Sequence, residues 1–196
     1  MSKLLYQGHG SFRLTTDEGT VVYVDPYAGS GYDIPADLIL VTHQHFDHNV
    51  ISKPAKKPGC TIYQNMDALK NGKYQKAVLC GIEVEAVQAY NDHHPVNECV
   101  GYILSFDQLQ VYFAGDTSKT EEMKQFSKRH LDYAFLPCDG IYNMNVKEAS
   151  ACADLIQAAH SVPVHMSPGN LFDRKIAESF KTKNRLILEP ATEITL

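Results

Sequence analysis

Three imidazoles and a carboxylate crowd into the six residues His43-Gln44-His45-Phe46-Asp47-His48. Neutral imidazole nitrogens and carboxylate oxygens are the donors that borderline divalent metals such as Zn²⁺ favour. A short turn holding four such groups is hard to satisfy without a cation. Two further groups stand in similar places. Val111-Tyr112-Phe113-Ala114-Gly115-Asp116 ends an apolar run in Gly-Asp, and Val162-Pro163-Val164-His165 ends another in a lone histidine. Loop residues carried by a rigid sheet are where catalytic groups gather. Ser11 and Ser167 lack the surroundings of an activated nucleophile, so no hydroxyl attack is assigned.

These groups need strands behind them. Lys3 to Tyr6, Ser11 to Thr16 and Thr20 to Val24 read as strands, with Asp17-Glu18-Gly19 turning between the last two. Leu38 to Val41 is a short buried strand that delivers the histidine turn. Thr61 to Gln64, Ala77 to Leu79, Ile82 to Ala89, and the hairpin Val100 to Phe106 with Gln110 to Phe113 extend the β pattern. The second half alternates: helix Thr120 to His130, strand Tyr133 to Leu136, helix Lys147 to Ala159, strand Val162 to Val164, helix Arg174 to Lys181. Arg185 to Leu188 and Glu193 to Leu196 read as closing strands. Meanders followed by helix–strand alternation predict mixed sheets covered by helices. No repeat or linker divides the chain, so residues 1–196 are read as one domain.

Composition narrows the partners. With 196 residues, 44% hydrophobic and a net charge of −5 without a long run of either sign, the chain suits a small-molecule substrate and gives no nucleic-acid or membrane footprint. Lys53, Lys56 and Lys57 are interleaved with prolines and read as a solvated loop. Five cysteines, odd in number and without a C-x-x-C pair, indicate neither a disulfide framework nor a cysteine zinc site. Cys138 is read as a small buried hydrophobe. The first residues lack a signal-peptide apolar segment, which predicts a cytoplasmic protein.

The order H-x-H-x-D-H, then Gly-Asp, then a strand-terminal histidine resembles the metallo-β-lactamase superfamily. Gly8-His9-Gly10-Ser11-Phe12, Val24-Asp25-Pro26, Ala114-Gly115-Asp116-Thr117 and Gly140-Ile141-Tyr142-Asn143-Met144 make it similar to the ascorbate-6-phosphate lactonase branch. The resemblance implies an αββα sandwich of two mixed sheets flanked by helices. It further implies a two-part metal site, taking one or two Zn²⁺ ions with Mn²⁺ or Fe²⁺ as substitutes. His43 and His45 would hold the first metal with a third histidine. Asp47, His48 and His165 would hold the second, with Asp116 bridging. Many relatives place that third histidine where this chain has Asn91. An amide oxygen is a poorer zinc donor than imidazole, so either His94, which we favour, or His93 takes the place, or the first sub-site is weakened.

Six other residues are drawn toward the site. Asp25 is read as orienting a ligand histidine or capping a turn, and His9 as lying at the site mouth or in an ordinary turn. Tyr142 and Asn143 are read as substrate contacts. Tyr27 and Tyr32 are read as lining a lid or as surface tyrosines of a loop from Tyr27 to Pro35. The functional expectation is a metal-dependent hydrolase acting on an ester-like bond, lactone or phosphodiester, with Asp47 and Asp116 as catalytic residues. Competing readings are a metal- or ligand-binding module with decayed catalysis, which Asn91 favours, and a di-iron redox protein.

Overall fold

The computed structural model describes residues Met1–Leu196. In chain order the elements begin with β1 (Lys3–Gly8), β2 (Ser11–Thr15), β3 (Val21–Val24), β4 (Ala36–Val41) and β5 (Lys56–Gln64). A one-turn helix α1 (Asn65–Ala68) and a small hairpin, β6 (Leu69–Lys70) and β7 (Lys73–Tyr74), lead to β8 (Lys76–Leu79), β9 (Ile82–Gln88), β10 (Val100–Phe106) and β11 (Leu109–Phe113). Then come α2 (Met123–Phe126), β12 (Tyr133–Pro137), α3 (Val146–Ile156), β13 (His160–Val164), α4 (Arg174–Ser179) and β14 (Thr192–Thr195).

Two six-stranded mixed sheets result, ordered β14-β1-β2-β3-β4-β5 and β13-β12-β11-β10-β9-β8. Side chains alternate across each strand, and the burial follows that period. Leu4, Tyr6, Phe12, Leu14, Val22, Val24, Leu38 and Leu40 of the first sheet meet Tyr102, Leu104, Val111, Phe113, Phe135 and Val162 of the second in one core. The alternate residues of the second sheet, Ile103, Tyr112, Ala134 and Leu136, pack under the helices through Met123, Phe126, Ala149, Cys152, Ala153 and Phe180. Cys138 is buried in that layer, as its composition-based reading predicts.

The outer face of the first sheet is covered differently. Val21, Tyr23, Ile39 and Val41 are packed by Tyr32 from the Tyr27–Pro35 segment, with Ile51 beside them. Tyr32 stacks on Tyr23 at 5.4 Å and donates its hydroxyl to Ala28 O at 2.8 Å. It is part of this outer core and lines no lid. The segment lies so close to β1 that a Cβ on Gly29, whose φ is +65°, would stand 1.9 Å from Gln7 O. Only glycine serves there.

Three elements differ from the sequence-based expectation. The helix foreseen over 120–130 is confined to α2 and a 3₁₀ turn over Ser127–Arg129. Its first turn and the residues before it are instead tied to the end of β9 and the loop that follows: Gln88 N donates to the Glu122 carboxylate at 2.7 Å, and Ser118 N donates to Tyr90 O at 3.0 Å. β5 runs back through Pro58 and Gly59 to Lys56 by shifting register against β4. A bulge on an edge strand tolerates both residues. Arg185 to Leu188 makes a single bridge to Ser161 and no strand. By contrast, the helix read over 147–159 forms as α3, with Ala149, Cys152, Ala153 and Ile156 buried on one face as its spacing predicts. Ala159 of that same spacing lies beyond its end and is exposed. The Asn145 side chain caps the helix by accepting from Lys147 N and Glu148 N. No helix is long and apolar enough to cross a membrane.

Candidate metal centre

The candidate donors gather at one edge of the sandwich, all but the loop residue His94 just beyond the end of a strand. Gly8 of β1 is followed by His9, Val24 of β3 by Asp25, Val41 of β4 by the histidine turn, and Val164 of β13 by His165. Val100 N donates to Thr42 O and His165 N to His9 O, at 3.0 and 2.9 Å, joining the two sheets at this edge. Asp116 reaches inward because Gly115 lets the backbone pass tightly. A Cβ on Gly115 would stand 2.9 Å from Thr42 Cβ, and its φ is +62°. His9, Asp25 and His165 also have left-handed φ values, of 53°, 46° and 45°. Each costs about 1–2 kcal/mol that the surrounding packing must offset, a pattern concentrated at functional sites.

Two clusters form, meeting at Asp116. In the first, His43, His45 and His94 each present a nitrogen to a common centre. His94 Nε2 lies 3.2 Å from His45 Nδ1 and 3.2 Å from Asp116 Oδ2. Asn91 stands behind His94, its Oδ1 2.8 Å from His94 Nδ1. The amide side chain is thus an acceptor that sets the ring, while His93 is exposed and lies edge-on to Tyr142. In the second cluster, His48, His165, Asp47 and His9 converge. His48 Nε2 and His165 Nε2 lie 3.3 and 3.4 Å from the two Asp116 oxygens, and His165 Nε2 lies 3.8 Å from Asp47 Oδ2.

Carboxylates back the second cluster. Asp25 Oδ2 is 2.8 Å from His48 Nδ1, and Asp25 also accepts from Thr42 N and Thr42 Oγ1 at 2.7 and 2.6 Å. Asp25 therefore orients an imidazole. Asp139 Oδ2 is 2.9 Å from His165 Nδ1, within ion-pair distance although off the ring's hydrogen-bonding direction. Burial alone would lower the His48 pKa, but the Asp116 and Asp25 carboxylates outweigh it and lift it to about 9. His165 is raised in the same way, burial being opposed by Asp116 and Asp139. Burial would push Asp116 up, yet His165 and His48 hold it well below the usual carboxylate range. His43 and His45 go the other way: burial lowers both, and neighbouring imidazoles add to it.

The donor set fits a cation. His43 Nε2, His48 Nε2, His165 Nε2 and Asp116 Oδ1 are buried without a hydrogen-bond partner. Orphaned buried polar atoms are rare and call for an explanation. Here they face one another, and the donor atoms within each cluster lie within 4.8 Å. They open onto a cavity of about 370 Å³ bordered by Phe46, Asp47, His93, Tyr142 and Pro168 among others. A larger, more open depression of about 600 Å³ at Lys181–Arg185 contains none of these donors.

Asp139 escaped the sequence reading as a site member, and for His9 the structure decides between the site mouth and an ordinary turn in favour of the site. His9 is 3% exposed and sits 3.1 Å from Asp47 Oδ2, its ring 3.7 Å from that of His165. Asp139 Oδ1 accepts from the backbone of Ile141, Tyr142 and Asn143, while Oδ2 accepts from the Asn143 side chain at 2.9 Å. Asn143 is therefore engaged in holding its loop, whereas Tyr142 borders the main cavity. The signals available were a histidine set between two glycines and a strand-end Asp before Gly140.

Comparison with known proteins agrees with this fold. Residues 3–165 match the model of the β-lactamase superfamily domain. A UPF0173 metal-dependent hydrolase of Pyrococcus furiosus is 30% identical over 194 residues, covering 84% of each chain. A solved structure described as a metal-dependent hydrolase, from Parabacteroides distasonis, superposes with a TM-score of 0.75 at 31% identity over 93% of this chain and 90% of that one. Igni18, a metallo hydrolase of Ignicoccus hospitalis, shares the fold with a TM-score of 0.76 at 21% identity, covering 99% and 98% of the two chains. Matched across both sheets and the whole donor edge, the chain belongs to the metallo-β-lactamase superfamily and, within it, to the UPF0173 metal-dependent hydrolases.

Proposed function

We propose that residues 1–196 act as one hydrolase domain that cleaves an ester-like bond, lactone or phosphodiester, in a small-molecule substrate with one or two Zn²⁺ ions, or Mn²⁺ or Fe²⁺ in their place. The observation that carries this is the set of partnerless buried donors, three imidazole nitrogens and one carboxylate oxygen, in the two clusters that meet at Asp116. His43, His45 and His94 are the ligands of the first sub-site. Asp47, His48 and His165 are those of the second, and Asp116 lies between them. A divalent metal bound there supplies Lewis-acid polarisation and lowers the pKa of water to about 7, so that a nucleophile exists at neutral pH.

The chain's own side chains do the rest. Asp25 and Asp139 hold His48 and His165 in orientation. Burial would raise the Asp47 pKa, but its hydrogen bond with His9 reverses this and keeps the carboxylate ionised. Asp47 borders the cavity, where it accepts a hydrogen bond from the attacking water and steers it. The five cysteines are all free thiols, in keeping with a reducing, cytoplasmic setting.

Metal analysis of the purified protein, followed by assays on simple lactones and bis-p-nitrophenyl phosphate, tests the reading with Asp47→Ala as control. Bound zinc with ester turnover that the variant loses is the expected result. Bound metal with no turnover of any ester would favour a binding module, and bound iron with redox activity a di-iron protein.

A further inference from the structure

Three depressions join at the donors. The central cavity shares His93 and Tyr142 with a lobe of about 410 Å³, and Gly169 with another of about 260 Å³. The reacting centre thus lies in a depression flanked by two others, and the three adjoining hollows together make up a trough. Large apolar side chains stand along its rims, with Asn91, Asp92, Ser118 and Asn143 also lining the first lobe. Ile141 and Tyr142 are 61% and 48% exposed on one lobe, Leu171 is 45% exposed on the other, and Phe46 stands 74% exposed at the centre. Phe46 meets the Tyr27 ring edge-on at 5.9 Å, and Tyr142 meets His93 edge-on at 5.4 Å. Large side chains held in water around a reactive centre mark a surface that gains by being covered.

Charge points the same way. No lysine or arginine borders any of the three depressions, and their only carboxylates are Asp47, Asp92 and Asp116. Lys53 reaches the Tyr27–Gly29 backbone but donates to the carbonyls of Tyr27 and Gly29 and lies 4.7 Å over the Tyr32 ring. A phosphate group on the substrate would normally be met by guanidinium, ammonium or helix N-terminal groups. Here, away from the metal ligands Asp47 and Asp116, it would find no cation and one carboxylate, Asp92.

We infer that the substrate is an uncharged carboxylic ester or lactone bearing an apolar acyl arm, with the arm lying in the trough. This rests on the hydrolase reading and narrows its bond type. Water adds to the acyl carbon, the acyl C–O bond breaks, and an alcohol and a carboxylic acid form, the acid releasing its proton at neutral pH. In a lactone both products remain one molecule.

The Zn²⁺-loaded protein is assayed with p-nitrophenyl esters from acetate to octanoate, γ-lactones of matched chain length, bis-p-nitrophenyl phosphate and a phosphate-bearing lactone. Expected is a kcat/KM that rises about two- to fourfold per added methylene until the trough is filled. Phe46→Ser, at an exposed position where folding is not at stake, flattens that slope, and Ile141→Lys raises the rate on the phosphate-bearing lactone. A flat or falling chain-length dependence, or a preference for the phosphodiester, overturns the inference. If no ester or phosphodiester is cleaved, the hydrolase reading itself fails, and binding decides the inference separately. Acetohydroxamate through octanohydroxamate are then titrated into the Zn²⁺-loaded protein by calorimetry. A Kd that falls with chain length by the same factor supports the apolar trough, and a constant Kd overturns it.

Discussion

The two donor clusters differ in what stands behind their imidazoles. Around His43, His45 and His94 the acceptors are neutral: Thr42 Oγ1 lies 3.0 Å from His43 Nδ1, and Asn91 Oδ1 lies 2.8 Å from His94 Nδ1. Beside His48 and His165 stand carboxylates: Asp25 is hydrogen-bonded to His48 Nδ1 at 2.8 Å, and Asp139 makes an ion-pair contact with His165 Nδ1 at 2.9 Å. A carboxylate behind a ligand imidazole fixes its tautomer and raises its basicity more than an amide or hydroxyl does. Exposure adds to the contrast, since His45 is on the open side of its turn whereas His48 and His165 are 1% and 3% exposed. The second cluster is therefore built as the stronger holder. The first is completed by a loop, Asn91 to His94, closed by paired backbone hydrogen bonds between its ends.

The largest effect comes from removing what the clusters share. Asp116 is within 3.4 Å of His48, His94 and His165, so Asp116→Ala should weaken both sub-sites and lower hydrolysis more than about 100-fold. Elemental analysis after gel filtration should find less than one metal per chain. A variant that keeps the wild-type metal content would remove Asp116 from the centre altogether.

Next in size is the contrast between the supporting groups. Asp139→Asn keeps an oxygen for the loop N–H groups of Ile141 to Asn143 but removes the charge beside His165. The tighter of two binding events in a Zn²⁺ titration should weaken about 10–100-fold, the weaker one staying in place. Asn91→Ala should act on the weaker event alone, by about tenfold or less. Equal losses from both variants would show that the acceptors' charge does not separate the sub-sites.

How much of this was legible from sequence depends on where each partner lies along the chain. The donors at 43–48, Asp116 and His165 could be read because each follows its own apolar strand and is chemically conspicuous. His94 could be named only among alternatives, because a loop's geometry decides between it and His93. The relation of His9 to Asp47, 38 residues apart, exists only once β1 and β4 lie in one sheet, and Asp139 is placed by β12 pairing with β13. The fold shows the same division. The two-residue alternation of β10 to β12 announces both faces of a buried sheet, whereas Tyr32 could not be assigned to a core until Tyr23 was beneath it. The helix foreseen at 120–130 was shortened for the same reason, Glu122 of its first turn being claimed by Gln88 and Ser118 just before it by Tyr90, from another part of the chain.

A pH dependence of about tenfold per unit should also distinguish the clusters. In the metal-free protein Asp116 and Asp25 outweigh burial and lift His48 to about 9, so at pH 7 it carries a proton that a metal must displace. His43 and His45, both lowered, carry none there. The affinity of the tighter event should therefore rise with pH up to about pH 9, by about tenfold per unit for one proton released. The contribution of His43 and His45 to the weaker event should be flat above pH 7. Calorimetry in two buffers of different ionisation enthalpy counts the protons, and a tighter event that releases none contradicts the assignment.

The smallest effect is the most pointed. Asn91→Asp would put a carboxylate behind His94 and make the first cluster resemble the second. Asn91 also donates through Nδ2 to Tyr142 O at 2.9 Å and to Asn143 Oδ1 at 3.3 Å. The aspartate loses both donors and turns an oxygen toward two others, which should cost about 1–2 kcal/mol of stability in EDTA. The stronger acceptor should nonetheless tighten the weaker metal-binding event a few-fold, bringing the two events closer together. Denaturant unfolding and metal titration measure the two consequences separately. Should stability fall while the weaker event fails to tighten, the asymmetry would lie in loop placement and exposure, with the charge behind the ring secondary.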